Sequence, residues 1–222
     1  MNNDLTVLLP IWTTDSQEEF NNPKQIKFYD RKLLGLFSLF KCDDAQLLFY
    51  GNYTKHDEEF KCNNLSSKKS YDVDAKILKF SDAAVIETLK LYCTPKENYR
   101  GFIGWDMYDD TIPFLWNYLT SHGVDTHDFN LFKPIQGFWN NNKSNSVDLR
   151  SLYAQGYSRH DANFYDWVAY LGYEIAPINV NGLNIKNPYY PGFITNGCIE
   201  KEVISHIAKV AVAMYDIQIN CQ

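Results

Sequence analysis

The feature that most constrains this chain is an apolar run near its start, Leu5 to Trp12 (LTVLLPIW). Eight residues is the length of a buried strand and too short for a helix that must bury a face. Pro10 has no N–H to give a ladder, so the end of this strand is irregular. Leu33 to Phe40 (LLGLFSLF) and Gln46 to Tyr50 (QLLFY) flank the polar Lys41-Cys42-Asp43-Asp44, the pattern of an antiparallel hairpin. The polar stretch 54–70 reads as a loop. Ser81 stands before Ala84, Val85, Thr88 and Leu91, an N-cap followed by a helical stripe. A strand is predicted at Gly101 to Trp105. After it, Ile112, Leu115, Trp116 and Leu119 fall at i, i+3, i+4 and i+7, one face of a helix closed by Gly123. The order is β-β-β-α-β-α.

Beyond it, Val147 to Leu149 leads into a helix-rich segment. Phe164, Trp167, Val168 and Leu171 repeat the helical spacing before Gly172, and a last helix from about Ile199 to Tyr215 buries Ile204, Ile207, Val210, Ala211 and Met214. The intervening stretches, about 126–146 and 177–197, carry Asn, Pro and Gly without a period and read as insertions. Nothing marks a linker, so residues 1–222 read as one domain.

Composition sets outer bounds. With 222 residues, 45% hydrophobic and 22% charged, the chain is long and apolar enough for a substantial core. A formal charge of −6 gives no broad basic surface, which favours a protein partner over nucleic acid. Cys42, Cys62, Cys93, Cys198 and Cys221 are odd in number and form no metal-binding spacing, as in a reduced intracellular chain. No stretch approaches the roughly 20 apolar residues that span a bilayer, and the first residues lack a signal-peptide pattern.

Gly104 to Leu115 reads Gly-Trp-Asp-Met-Tyr-Asp-Asp-Thr-Ile-Pro-Phe-Leu. It resembles, without a gap, the second motif (G-W-N-x-x-x-F-D-x-P-Y-hydrophobic) of the 3′-to-5′ proofreading exonuclease domain of family B DNA polymerases, especially those of tailed bacteriophages. Pro10-Ile11-Trp12-Thr13 stands where that family has D-I-E-T, with Phe20-Asn21-Asn22-Pro23 and the hairpin behind it. Val147-Asp148-Leu149 is similar to the family's I-D-L, and Ser205 to Val210 falls on its third motif, Y-x-x-x-D-V. The resemblance implies an α/β, ribonuclease-H-like exonuclease fold: a central mixed sheet with an antiparallel hairpin and flanking helices.

It also implies a site whose chemistry is missing. The family binds two divalent cations with four carboxylates, and the ions make a hydroxide and stabilise the in-line displacement. Those positions here are Pro10, Trp12, Thr111 and Lys209. Proline and indole offer no oxygen to a hard cation. The Lys209 ammonium would repel one by about 4 kcal/mol at ~4 Å in an effective dielectric near 20. Asp106, Asp109 and Asp110 crowd the same loop; Asp109 or Asp110 is expected to cap the following helix. Lys209 is expected to pair with Glu202 or Asp106.

The expectation is therefore a pseudoenzyme with no catalytic residue, no metal and no cofactor. It would serve as a structural or scaffolding subunit through protein contacts, in phage replication or virion assembly, within the host cytoplasm or the particle. Two alternatives are kept. One is a weak single-strand-binding module using a vestigial cleft of Trp105, Asp106, Tyr108 and His206, with Trp139, Tyr153 and Tyr157 as further stacking candidates while Trp116 and Trp167 lie on buried stripes. The other is an exonuclease whose ligands have moved to Asp106, Asp109, Asp110 and Glu202.

Overall fold

The computed structural model describes residues 4–14, 32–41, 45–51, 60–63, 72–79, 81–93, 100–132, 146–153, 163–177, 179–180, 183–184, 191–193 and 201–220. Strands β1 (Asp4–Thr14), β2 (Lys32–Lys41), β3 (Ala45–Gly51), β4 (Phe60–Asn63), β5 (Asp72–Lys79), β6 (Arg100–Gly104) and β7 (Ser146–Asp148) form one sheet in the order β4-β5-β3-β2-β1-β6-β7. A small separate ladder joins β8 (Asn179–Val180) to β9 (Leu183–Asn184), and β10 (Pro191–Phe193) adds to β1. Among the described residues the α-helices are α1 (Asp82–Cys93), α2 (Ile112–Ser121), α3 (Leu149–Tyr153), α4 (Phe164–Tyr170) and α5 (Lys201–Asn220).

The first apolar run becomes β1, at the middle of the sheet. It pairs antiparallel with β2 from Thr6↔Phe40 to Thr13↔Lys32, and parallel with β6 from Asp4↔Arg100 to Val7↔Ile103. The β1–β2 register shifts between Ile11 and Trp12, just after the proline that cannot donate. β2 and β3 form the expected hairpin, Gly35↔Gly51 to Lys41↔Ala45. Its turn, and the 20–23 segment, lie outside the described residues.

Both faces of β1 are covered, which explains a continuous apolar run where a half-exposed strand would alternate. On one face Leu8 and Trp12 join Leu33 and Leu36 of β2, under Val85 and Leu89 of α1 and Ile112, Leu115 and Leu119 of α2. Val7, Leu9 and Ile11 are buried on the other face, and α5 packs against β1, β2 and β6. Over Ile207–Ile217 every α5 residue but Lys209 is buried, far more than a single stripe. The α4 segment also reaches α5, through hydrogen bonds between Tyr165 and His206 and from Tyr173 to Asp216.

Several elements depart from expectation. The stretch 54–70 contains β4, and β5 comes after it; Val73, Ala75 and Ile77 alternate with polar residues, the period-two signal of a strand. Among the described residues five strands thus precede the helix at Asp82–Cys93. Residues 129–132 belong to the core rather than to an insertion, with Phe129, Leu131 and Phe132 buried. The 177–197 stretch supplies β8, β9 and β10. Trp116 and Leu91, placed on buried stripes by spacing, are 37% and 46% exposed, because each stripe is narrower than the spacing implies.

The expected helix stops hold. Gly123 has φ of 72° and Gly172 has φ of 86°. In both cases the glycine N–H and the next N–H turn back: Gly123 to Thr120 and Val124 to Leu119, Gly172 to Ala169 and Tyr173 to Val168, all near 3 Å. This double closure satisfies carbonyls that the helix end would otherwise leave bare, and it requires a left-handed residue. A Cβ at Gly123 would touch nothing within 4 Å, so the cost of substitution there is conformational alone. Gly123→Ala should lower the unfolding free energy by about 1–2 kcal/mol, and Gly123→Asn by less, in urea titrations.

Candidate functional site

The loop that resembles a nuclease motif leaves β6 at Gly104, where a Cβ would overlap the Met107 sulfur, so the chain turns as only glycine permits without repacking. Trp105 is fully buried, edge-on to Phe164 at 5.3 Å and tilted against Trp167 at 6.1 Å between ring centroids. Asp106 then takes the left-handed conformation, φ 56° and ψ 42°. Asp and Asn tolerate this region better than other non-glycine residues. Its carbonyl accepts from Asp110 N–H at 2.9 Å and from Thr111 N–H at 3.3 Å, the widened turn of a π-helix over Met107–Thr111. Pro113 brings no N–H to the ladder, which is tolerated because it falls in the first turn of α2.

Asp148 holds this turn from the neighbouring strand. It ends β7, and its Oδ1 accepts from the Arg150 N–H at 3.1 Å, a helix N-cap, and from the Asp106 N–H at 2.9 Å. Its Oδ2 accepts from Ser151 Oγ at 2.8 Å. Arg150 returns from α3 to donate through a guanidinium nitrogen to Asp106 Oδ2, a largely buried ion pair. Tyr108 completes the tie by donating its hydroxyl to the Ser146 carbonyl oxygen at 3.0 Å. Burial pushes the Asp106 carboxyl above the usual carboxylate range; Arg150 opposes this, and Asp148, Asp110 and Asp109 add to it.

These contacts revise two expectations. Asp109 and Asp110 lie within the π turn, and neither occupies a cap position; those positions are Asp106 and Thr111, whose side chains make no capping hydrogen bond. The cation paired with Asp106 is Arg150, not Lys209. The side chain of Glu202 is outside the described residues, as are those of Trp139, Tyr153 and Tyr157.

Of the four positions matched to metal ligands, Pro10 and Trp12 sit on β1, both buried. Trp12 belongs to the same apolar cluster as Met107 and Ile112, and Thr111, between those two along the chain, is fully buried. The structure thus brings the first and second motif positions into one water-excluded neighbourhood. Lys209 lies on α5, half-buried, one turn from His206. His206 shares a 2.9 Å hydrogen bond with the Tyr165 hydroxyl; burial, and secondarily Lys209, lowers its pKa to about 4, so the ring is neutral. Among the described residues no three His, Cys, Asp or Glu side chains converge as a ligand set.

A second polar group ties α1 to α2. Ser81 caps α1 through the Ala84 N–H at 3.2 Å, as expected. Tyr118 donates to Asp82 Oδ1 at 2.6 Å, and His122 Nε2 lies 3.6 Å from the same oxygen. Ser121 Oγ is 3.4 Å from His122 Nδ1, which gives a Ser-His-Asp composition. It is not a nucleophile arrangement. His122 Nδ1 is 2.7 Å from the Tyr118 carbonyl oxygen, which can only accept, so that nitrogen already carries its proton and cannot take one from serine.

Sequence reasoning missed Arg150, Ser151, Tyr165, Tyr173 and Asp216. A local signal existed for the first two, since Asp148 before Leu-Arg-Ser is an N-cap pattern. The tyrosine contacts span more than forty residues and leave no local trace. Compared with known protein families and with curated proteins, this chain has no match in either. No helix among the described residues is long and apolar enough to cross a membrane.

Removing the guanidinium strands a buried carboxylate: Arg150→Met should cost about 3–5 kcal/mol, and Asp106→Asn in that background should recover part of the loss. A double-mutant cycle in urea measures the coupling. His206 governs acid behaviour in one window. Between its ordinary 6.5 and about 4 the unfolded chain binds a proton there that the folded chain does not, so stability falls as pH drops through that range. Asp106, with its pKa raised, acts in the opposite sense. The difference in unfolding free energy between wild type and His206→Gln should therefore shift against the wild type from pH 7 to pH 4.

Proposed function

We propose that this chain is a catalytically inactive, exonuclease-like subunit of ribonuclease-H-like fold that works through protein contacts, in a phage replication complex or in virion assembly. The observation that carries the reading is chemical: the four positions where the resembled family holds magnesium carry Pro10, Trp12, Thr111 and Lys209. The first three are buried, so water and a hydrated ion are both kept from them.

The architecture supports the fold half of the proposal. β1, β2 and β3 form an antiparallel meander; after β4, β5 and α1 come β6 and β7, both parallel to β1, with α2 between them, and α5 follows. The left-handed turn supports it too. Asp106 stands where the motif has Asn, and both residue types suit that conformation.

The nucleic-acid alternative loses its main stacking face, since Trp105 has no exposed surface and Asp106 is held by Arg150. With pure protein, a 5′-labelled single-stranded oligonucleotide and Mg²⁺ or Mn²⁺, no 3′ shortening above buffer is expected. Fluorescence anisotropy at low salt should show at most weak, salt-sensitive binding. A ladder of shortened products abolished by EDTA would overturn the proposal.

A further inference from the structure

β1 has two edges. β2 occupies one of them as far as Thr13, so the strand that pairs with Trp12–Thr14 on the other side shares an edge with β6. β6 covers that edge only over Asp4–Val7. β10 takes it up again with Trp12↔Pro191, Thr13↔Gly192 and Thr14↔Phe193, running parallel. The position is distinctive. From β1 the sheet grows to β2 and β3 on one side and later to β6 and β7 on the other, so β1 and β6 flank the reversal of strand order. Beyond the carboxyl ends of strands at such a reversal, α/β sheets leave a crevice for ligands. β10 lies across it.

We propose that the β1 edge at Trp12–Thr14 is a strand-addition site for an extended peptide of a partner protein, and that β10 is its intramolecular occupant. This rests on the reading of the chain as a protein-docking subunit, and it names the mode of docking. The described pairing of this occupant is short. β10 has three residues and runs parallel, the slightly less stable pairing. Pro191 has no N–H, and alternate residues of a strand face a given neighbour, so whichever alternation holds, only one N–H of β10 can donate to β1. What β1 offers there is main chain, which selects an extended polypeptide and supplies affinity through ladder hydrogen bonds.

Gly192→Pro and Phe193→Pro together remove that donor whichever residue carries it. A fluorescent peptide of residues 188–196 should bind the variant lacking the ladder donor about tenfold or more tightly than wild type, where the tethered strand competes. Circular dichroism and urea midpoints establish that the variants fold. Wild type gives an independent readout: the Thr13 and Thr14 amides should exchange about tenfold or more faster than those of Thr6 and Val7. Equal protection at the two ends of β1, or folded variants that capture no peptide, would overturn the proposal. Capture of oligo(dT) in place of peptide would overturn it as well. Nuclease activity would sink the inactive-subunit reading and leave peptide capture standing, so the two failures are distinguishable.

Discussion

The position of β1 is the constraint on which the other elements depend. Over Thr6–Trp12 the strand is buried on both faces, and it has a strand on each edge over Thr6–Val7 and again at Trp12–Thr13. A segment enclosed in this way cannot hold an uncompensated carboxylate, because burying one costs several kcal/mol, on the order of what a domain has to spare. Pro10 and Trp12 fit that enclosure; an aspartate and a glutamate in the same places would need cations to balance them. On the proposed reading, the loss of an anionic clamp and the packing of Trp12 with Met107 and Ile112 are therefore one change seen from two sides.

The polar network at the ends of β6 and β7 shows how the turn is held by protein groups. Asp106 adopts a left-handed conformation that costs about 1–2 kcal/mol for a typical L-residue and less for aspartate. Its N–H is taken by Asp148 and its carboxylate by Arg150, so the conformation is held from both ends of the same residue. Asp148 spends its remaining capacity on the first turn of α3. One carboxylate thus fixes the start of α3 and the entry to α2, two elements that are not consecutive along the chain. The cation in this arrangement is covalently part of the protein, so its presence does not depend on concentration, and the guanidinium stays charged near neutrality.

How much of this can be read from the chain depends on range. The double-buried strand, the β2–β3 hairpin, the Ser81 cap and the Gly123 and Gly172 stops all rest on local stereochemistry, and residues alone declare them. β5 is equally local, with Val73, Ala75 and Ile77 on alternate positions, but its charged neighbours mask the period. The exposure of Trp116 is not local, since helical spacing says which residues share a face and leaves open how much of that face a neighbour covers. The widened turn at Met107–Thr111 also escapes: a π turn inserts one residue and rotates every later position, so Asp109 and Asp110, which read as caps, fall inside it.

The same distinction separates the parts of the site. Pro10, Trp12, Thr111 and Lys209 are picked out by motif spacing, and the uncharged character of the first three agrees with their burial. The pairing of Arg150 with Asp106 is invisible to spacing because it is fixed by sheet order: β6 and β7 are neighbours, so residues forty-four positions apart meet across their carboxyl ends. Sheet order also makes β10 informative, because it adds to β1 beyond β6, at the end where the order of strands reverses. On the proposed reading, an edge of β1 taken up by the chain's own backbone suits another length of polypeptide better than a charged, hydrated substrate.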